Sequence, residues 1–397
     1  MKRRDKGQVL VLVALAIFAL LGLAALGIDV GYMYSVRHEL QRSADAGALA
    51  GASAFIDIGP WSTNLSDPSM VESMARALDF ASRDPVLTTH LDPAQTGPAQ
   101  EITVTFPSQD NVQVTTQRNV SLFFARIFGN AAQTISATAI AEAATATRNV
   151  KCIKPWGVSY PWNDNNLNGQ YDPGETVNDT CPEGITDTTW YFCPGTLVQI
   201  KVSTKSSNTS PIPQQEASHF FELDLGQLNN QQGCLPSVNQ GAASYLAYLE
   251  DRCLDNCVQV ASGPNGTGDP VPLQTGNDPR KTIQGAQWLI DQDPGATWDT
   301  AAGHPDGGNF PGASWEDSPR VIRIPIYDPR YDQLNPGAGE IHVAEFAGMW
   351  VDHVDPIQGN EGQGTVYGRY VKLSVSGAGA GGGNTGAPNL KFIRLVR

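Results

Sequence analysis

Hydrophobic and polar positions divide the chain sharply near its start. From Val9 to Ile28 no side chain is charged. A helix over that run covers roughly 30 Å, the thickness of a bilayer's hydrocarbon core. A helix also satisfies its own backbone in lipid. Past Asp29 the pattern changes, but no proline interrupts it before Pro60. Met33, Val36, Leu40, Ala44, Ala48, Gly51 and Phe55 recur at spacings of three and four, which defines one apolar helix face. Arg37, Glu39, Gln41, Arg42 and Asp45 fall mostly off that face. Ala44, Gly47, Ala48, Gly51 and Ala52 are small, so another backbone can approach closely. This face is expected to pack on the chain's own next domain, with packing between subunits as the alternative.

Shorter periodic segments follow. Asp67-Pro68 opens a predicted helix to about Ser82, with Val71, Met74, Ala75, Leu78 and Ala81 in amphipathic order. Ile102, Val104 and Phe106, then Val112 and Val114, alternate with polar residues around a polar turn, which predicts a β-hairpin. Residues 122–128 (LFFARIF) read as a helix closed by Gly129, with Phe123, Phe124 and Phe128 in the core. Thr134 to Ala144 alternates as a third strand. Beyond it, strands are expected at 197–202, 219–225, 320–327, 341–351, 365–375 and 390–396, and helices at 242–254 and 281–290. Residues 292–319 read as a long loop and 378–383 as a flexible connector.

Charge adds direction to this pattern. Lys2, Arg3, Arg4 and Lys6 precede the apolar run, so the short N-terminus is expected in the cytoplasm and the rest of the chain across the membrane. Outside the first six residues, 22 basic groups face 39 acidic ones. Such an acidic surface argues against nucleic acid as a partner and against adhesion to an anionic membrane surface. The six cysteines, at 152, 181, 193, 234, 253 and 257, all follow the span. An even number in an exported region predicts disulfides. Cys181–Cys193 is the first expected pair and Cys253–Cys257 the second.

The most pointed chemistry lies at 164–175. Asp164, Asn166, Asn168, Asp172 and Glu175 place side-chain oxygens at positions one, three, five, nine and twelve of a loop with Gly169 at six. That is the pattern of a calcium loop, in which the Gln170 backbone carbonyl would add a further oxygen. Pro173 and Gly174 exclude an early exiting helix, so the loop stands outside a paired EF-hand. The competing reading is an Asn/Gly-rich surface turn.

The run Gly7-Gln8, the apolar span, Asp29-Val30-Gly31, Leu40-Gln41 and Ala44-Asp45-Ala46 leading into Leu49-Ala50-Gly51-Ala52 resembles the N-terminal segment of TadG-like proteins of the tight-adherence (Flp) pilus assembly family. Related pilins carry a glutamate five residues after their cleavage glycine. Here that position, counted from Gly7, is Leu12, so prepilin-peptidase cleavage and incorporation as a major pilus subunit are not expected. Ala25-Leu26-Gly27 offers small residues for ordinary signal peptidase, but the apolar run is long and the helix pattern crosses the site; an uncleaved anchor is expected. Four further stretches resemble the ectodomain often attached to such anchors: Lys151 to Trp156, Phe220 to Leu225, Asp293 to Trp298, and Ser318 to Ile322 with Pro325. The integrin-type DxSxS site of some relatives does not occur.

The expected fold is α+β. Residues 1–55 form the basic start, the transmembrane helix and its extension; 56–148 form a small α+β domain. Residues 149–397 form a mainly β, disulfide-containing extracytoplasmic domain. The chain contains no HExxH, GxSxG, P-loop or strand-borne GxGxxG. Its six histidines are scattered; His342 and His353 with Asp352 would converge only on adjoining strands, and ordinary strand histidines are the preferred reading. The expectation is a non-enzymatic accessory component of a tight-adherence pilus or attachment apparatus in the bacterial cytoplasmic membrane. It would contact the bilayer through residues 9–28 and other pilus-assembly proteins, with no small-molecule substrate. The alternative is a calcium-stabilised surface adhesin or ligand-binding protein sharing the anchor.

Overall fold

Helix α1 runs unbroken from Asp5 to Asp57, 53 residues or roughly 80 Å at 1.5 Å per residue. The computed structural model describes residues 5–59, 61–129, 131–147, 150–166, 171–182, 191–202, 220–234, 242–250, 258–274, 279–308, 314–332, 339–356, 364–373 and 390–396. Val11 to Ala24 are exposed along the helix, and this is the one described helix long and apolar enough to cross a membrane. Further along, Val36, Leu40, Ala44, Ala48 and Ala52 are fully buried and Phe55 nearly so, on the face expected from their spacing.

That buried face packs within its own chain. Helix α2 (Pro68–Arg83) lies antiparallel against it. A Cβ on Gly47 would fall 2.8 Å from the Ala77 carbonyl and the Ala81 methyl; one on Gly51 would fall 2.8 Å from Val112. Only glycine lets the two helices and the sheet come this close. The sheet contains β1 (Ile102–Thr105), β2 (Asn111–Ser121) and β3 (Ala132–Thr145), joined as an antiparallel meander. Val112, Val114 and Thr116 of β2 alternate inward, as a strand's period of two requires. The Thr116 hydroxyl donates to the Leu40 carbonyl at 2.9 Å. Arg118 ties down the preceding irregular segment, pairing with Glu101 at 2.9 Å and donating to the carbonyls of Val86, Thr89 and His90.

The chain divides at 143/144, and residues 393–397 belong to the first unit. The second unit begins with β4 (Trp156–Ser159) and β5 (Leu197–Val202), followed by β6 (Phe220–Glu222), α3 (Leu225–Gln231) and α4 (Ala242–Glu250). Next come β7 (Pro270–Pro272), α5 (Pro279–Asp291), β8 (Thr297–Asp299), β9 (His304–Asp306) and β10 (Val321–Tyr327). Helix α6 (Pro329–Asp332), β11 (Glu340–Pro356), β12 (Gly364–Val371) and β13 (Lys391–Val396) complete the chain. Strand order in the large sheet is β5-β12-β11-β10-β4-β6, with β7 also on β11. All its pairings are antiparallel except β4 with β10. Both faces are covered. Trp156, Val158, Ile322, Ile324, Met349 and Tyr370 pack with Tyr245, Leu249, Ala286 and Leu289 of α4 and α5. Val343, Phe346, Tyr327 and Ile341 pack with Leu225, Leu228 and Val271. Strand β13 pairs with β3, so the C-terminal strand extends the sheet that begins at β1.

The α+β class is as expected, with three local corrections. The presumed loop 292–319 contains the β8–β9 hairpin and a 3-10 turn at Trp315–Asp317. Within 219–225 the strand stops at Glu222, because Asp224 caps α3 by accepting from the Gln227 N–H at 2.8 Å. Residues 122–128 supply only a 3-10 turn, Ala125–Phe128, closed by Gly129 in the left-handed region at φ 94°. Phe123 is 57% exposed and Phe124 37%, not core residues. The side chain of Phe128, Cys253, Cys257 and the 378–383 connector lie outside the described residues.

Candidate functional site: the anchor helix and its collar

Asp29 is the first charged residue after the apolar run, yet it is 1% exposed. Its carboxylate accepts the backbone N–H groups of Phe123, Phe124 and Ala125 at 2.9, 3.0 and 2.7 Å. A carboxylate that accepts several backbone N–H bonds is well accommodated when buried. The Tyr32 ring meets Phe123 edge-on, with centroids 5.2 Å apart. A collar therefore grips α1 where its uncharged run ends. Sequence reasoning missed this role because the partners lie 94 to 96 residues apart; the only advance signal was a lone acid closing an apolar span.

The segments of 151–156, 220–225, 293–298 and 318–322 are brought together in pairs. The Trp156 indole donates to the Tyr245 hydroxyl at 3.0 Å. Tyr245 is 2.7 Å from the Thr282 hydroxyl, which donates to Glu222 at 3.0 Å. Lys154 is buried and donates to the carbonyls of Tyr248 and Leu249, at 3.0 and 2.7 Å, near the described end of α4. Ser318 donates to Asp293 at 2.6 Å. Arg320 donates to the carbonyls of Asp293, Ala296, Val351 and Asp352, and its guanidinium lies over Trp350, 4.4 Å from the ring centroid. These contacts tie the segments together in two pairs and to the neighbouring strands and helices.

The predicted calcium-loop residues are only partly described. Asn168 and Gln170 lie outside the described residues. Asp164 is buried. Glu175 folds back across the loop and accepts from the N–H groups of Asn165 and Asp172 at 2.8 and 2.9 Å. Asn166 donates to Asp172 at 2.6 Å. Among the described residues no group of three or more His, Cys, Asp or Glu is placed to hold a metal ion.

Cys181 and Cys193 are bonded, with Cα atoms 4.9 Å apart, as expected. Neighbouring Phe192 packs edge-on against Tyr160 and Tyr370 in the core. Cys152 and Cys234 each also take part in a disulfide. His342 and His353 do not converge, since both lie on β11. Eleven steps along a strand separate them by roughly 35 Å. His342 Nδ1 is 2.9 Å from Asp332, while His353 stacks on Tyr367. A cleft of about 320 Å³ is lined by Cys152, Lys154, Glu316, Asp317, Ser318 and Arg323, with no histidine among the described lining residues. Its Lys154 is the group already engaged on α4.

Two family models match the chain. Residues 7–54 match Flp pilus-assembly TadE/G-like, and residues 40–141 match Tad-like Flp pilus-assembly. The N-terminal third is thus similar to the Tad family of Flp pilus assembly. The two Tad matches overlap on the stretch of α1 that holds Leu40, Ala44, Gly47, Ala48 and Gly51. Their joint span takes in α1, α2, the meander and the Asp29 collar. Among curated proteins and among solved structures, nothing matches the chain.

Proposed function

We propose that the protein is a membrane-anchored, non-enzymatic accessory component of a tight-adherence pilus assembly or attachment apparatus. One observation carries the reading. The Tad match covers a helix whose outer half is exposed and uncharged while its inner half is buried in a folded unit. Such a helix needs lipid around one end. The basic start supports an N-inside orientation in the cytoplasmic membrane, with the bulk of the chain outside. The mutual bonding of the second unit's polar segments supports contact and assembly as its work.

Loss of the protein is expected to reduce assembled pili and surface attachment together. Wild-type chain should restore both. A chain with Leu15→Arg and Leu20→Arg should restore neither, since each arginine near the span's centre costs about 2.5–3.5 kcal/mol of insertion. Electron microscopy of shed and cell-bound pili reads the outcome, and unchanged pilus numbers without the protein overturn the proposal. Intact pili with lost, calcium-dependent attachment would favour the adhesin reading.

Calcium at 164–175 is part of the same proposal, with Asp164, Asn166, Asn168, Asp172, Glu175 and the Gln170 carbonyl as ligands. Support comes from their positions in the loop and from Glu175 reaching back to Asn165. With three carboxylates, the expected dissociation constant is on the order of 10⁻⁴ to 10⁻³ M. Calorimetric titration of the detergent-solubilised chain should show calcium heat that Glu175→Gln removes. No heat in the wild type leaves the loop an ordinary turn.

A further inference from the structure

The turn gripped by Asp29 exposes the rings that a core should have absorbed. Leu122 is buried, but Phe123 and Phe124 face outward and Arg126 is exposed beside them. The turn is nonetheless built firmly. Asp29 takes three of its N–H groups, Gly129 donates back to the Ala125 and Arg126 carbonyls, and Arg126 Nε donates to the Leu122 carbonyl at 3.1 Å. Two exposed phenylalanines on a braced turn are a surface with an occupant.

The position of the turn names that occupant. Asp29 directly follows Ile28, the last residue of the uncharged run. One helical residue is 1.5 Å, so the turn sits at the level where the span leaves the hydrocarbon. Leu26, Ile28 and Val30 on the adjoining helix, flanking the Asp29 that holds the turn, are themselves more than half exposed. Tyr34, 65% exposed, and the half-buried Tyr32 stand in the next turn. Aromatic rings gather at membrane–water interfaces, with cationic side chains reaching the headgroups.

We infer that residues 122–128 form a foot on the lipid interface, with Phe123 and Phe124 seated among the headgroups and upper acyl chains of the outward-facing leaflet. Asp29 then has two tasks. It ends the span, and it fixes the foot at the bilayer surface. The inference rests on the membrane-anchor reading, and the test separates the two.

The full chain is made with p-azidophenylalanine at 18, 80, 123 or 124, one position at a time. Each protein is reconstituted into vesicles of phosphatidylethanolamine and phosphatidylglycerol, irradiated, and weighed for lipid adducts. The replacement keeps the phenylalanine ring, so folding is preserved. Phe18, 75% exposed in the span, reports the anchor. Phe80 lies on α2 next to Ala81, which packs against Gly47; eighteen residues past Asp29 place that level roughly 27 Å further out. Adducts at 18, 123 and 124 at about ten-fold the yield at 80 are expected for an interfacial foot. Adducts at 18 but not at 123 or 124 overturn the foot and leave the anchor standing. Protein–protein adducts at 123 and 124 in place of lipid also overturn it, in favour of a covering subunit. Absence of adducts at 18 overturns both readings.

Discussion

Arg320→Ala is expected to destabilise the second unit by about 3–5 kcal/mol. Arg320 is 3% exposed and sits between the 293–298 segment and β11. Its guanidinium serves four carbonyls, those of Asp293, Ala296, Val351 and Asp352. Alanine leaves these acceptors without their donor in a site too enclosed for easy hydration, and it removes the cation over the Trp350 ring. Burial pulls the guanidinium's proton affinity below its ordinary value, but arginine stays charged at any physiological pH. Arg320→Lys keeps the charge and loses the planar fork, so it should recover less than half of the loss. For a unit of this size, such a loss lowers the melting temperature by roughly 6–20 °C. Near-ultraviolet circular dichroism of the detergent-solubilised chain during heating measures it. A drop under about 2 °C would show that water replaces the guanidinium freely.

A second large effect is set by pH. Burial pushes the Glu345 carboxyl up to about 7; a hydrogen bond with Tyr160 and the charge of Lys391 pull it down in part, and Asp179 pushes it up. In the unfolded chain a glutamate titrates near 4.3. Below that value both states hold the proton, and the group adds no pH dependence. Between about 4.3 and 7 the folded state keeps a proton that the unfolded state has released, so stability falls as pH rises. Above 7 the full penalty, on the order of 3 kcal/mol, is in place. Glu345→Gln removes the titration. It should therefore be more stable than the wild type at pH 8 and similar near pH 4, as read by melting temperature in detergent. Equal pH slopes for the two proteins would assign the titration elsewhere.

Much of this molecule was legible in single stretches. The spacing of Val36, Leu40, Ala44, Ala48 and Phe55 determined the buried face of α1, because helix periodicity is a local property. The alternation of Val112 and Val114 determined a strand in the same way. Small residues at 47 and 51 announced a close backbone approach, and the structure supplies its partners in Ala77, Ala81 and Val112. The basic start and the uncharged run determined a candidate membrane span without reference to any fold.

Tertiary structure alone decided the rest. Phe123 and Phe124 read as core because a helix would have turned them inward. Asp29, distant in sequence, holds their N–H groups in a short turn and leaves the rings outside. The segments 293–298 and 318–322 looked like separate motifs until Arg320 and Ser318 joined them, and 151–156 met 220–225 through the pairing of β4 with β6, with Tyr245 and Thr282 linking the Trp156 indole to Glu222. His342 and His353 were separated by sharing one strand. The last strand joins β3 rather than the large sheet. Apart from the two histidines, the deciding force was a hydrogen bond or strand pairing between residues far apart in sequence. Periodicity carries no record of such partners, because it reports which face of an element is apolar and not what will cover it.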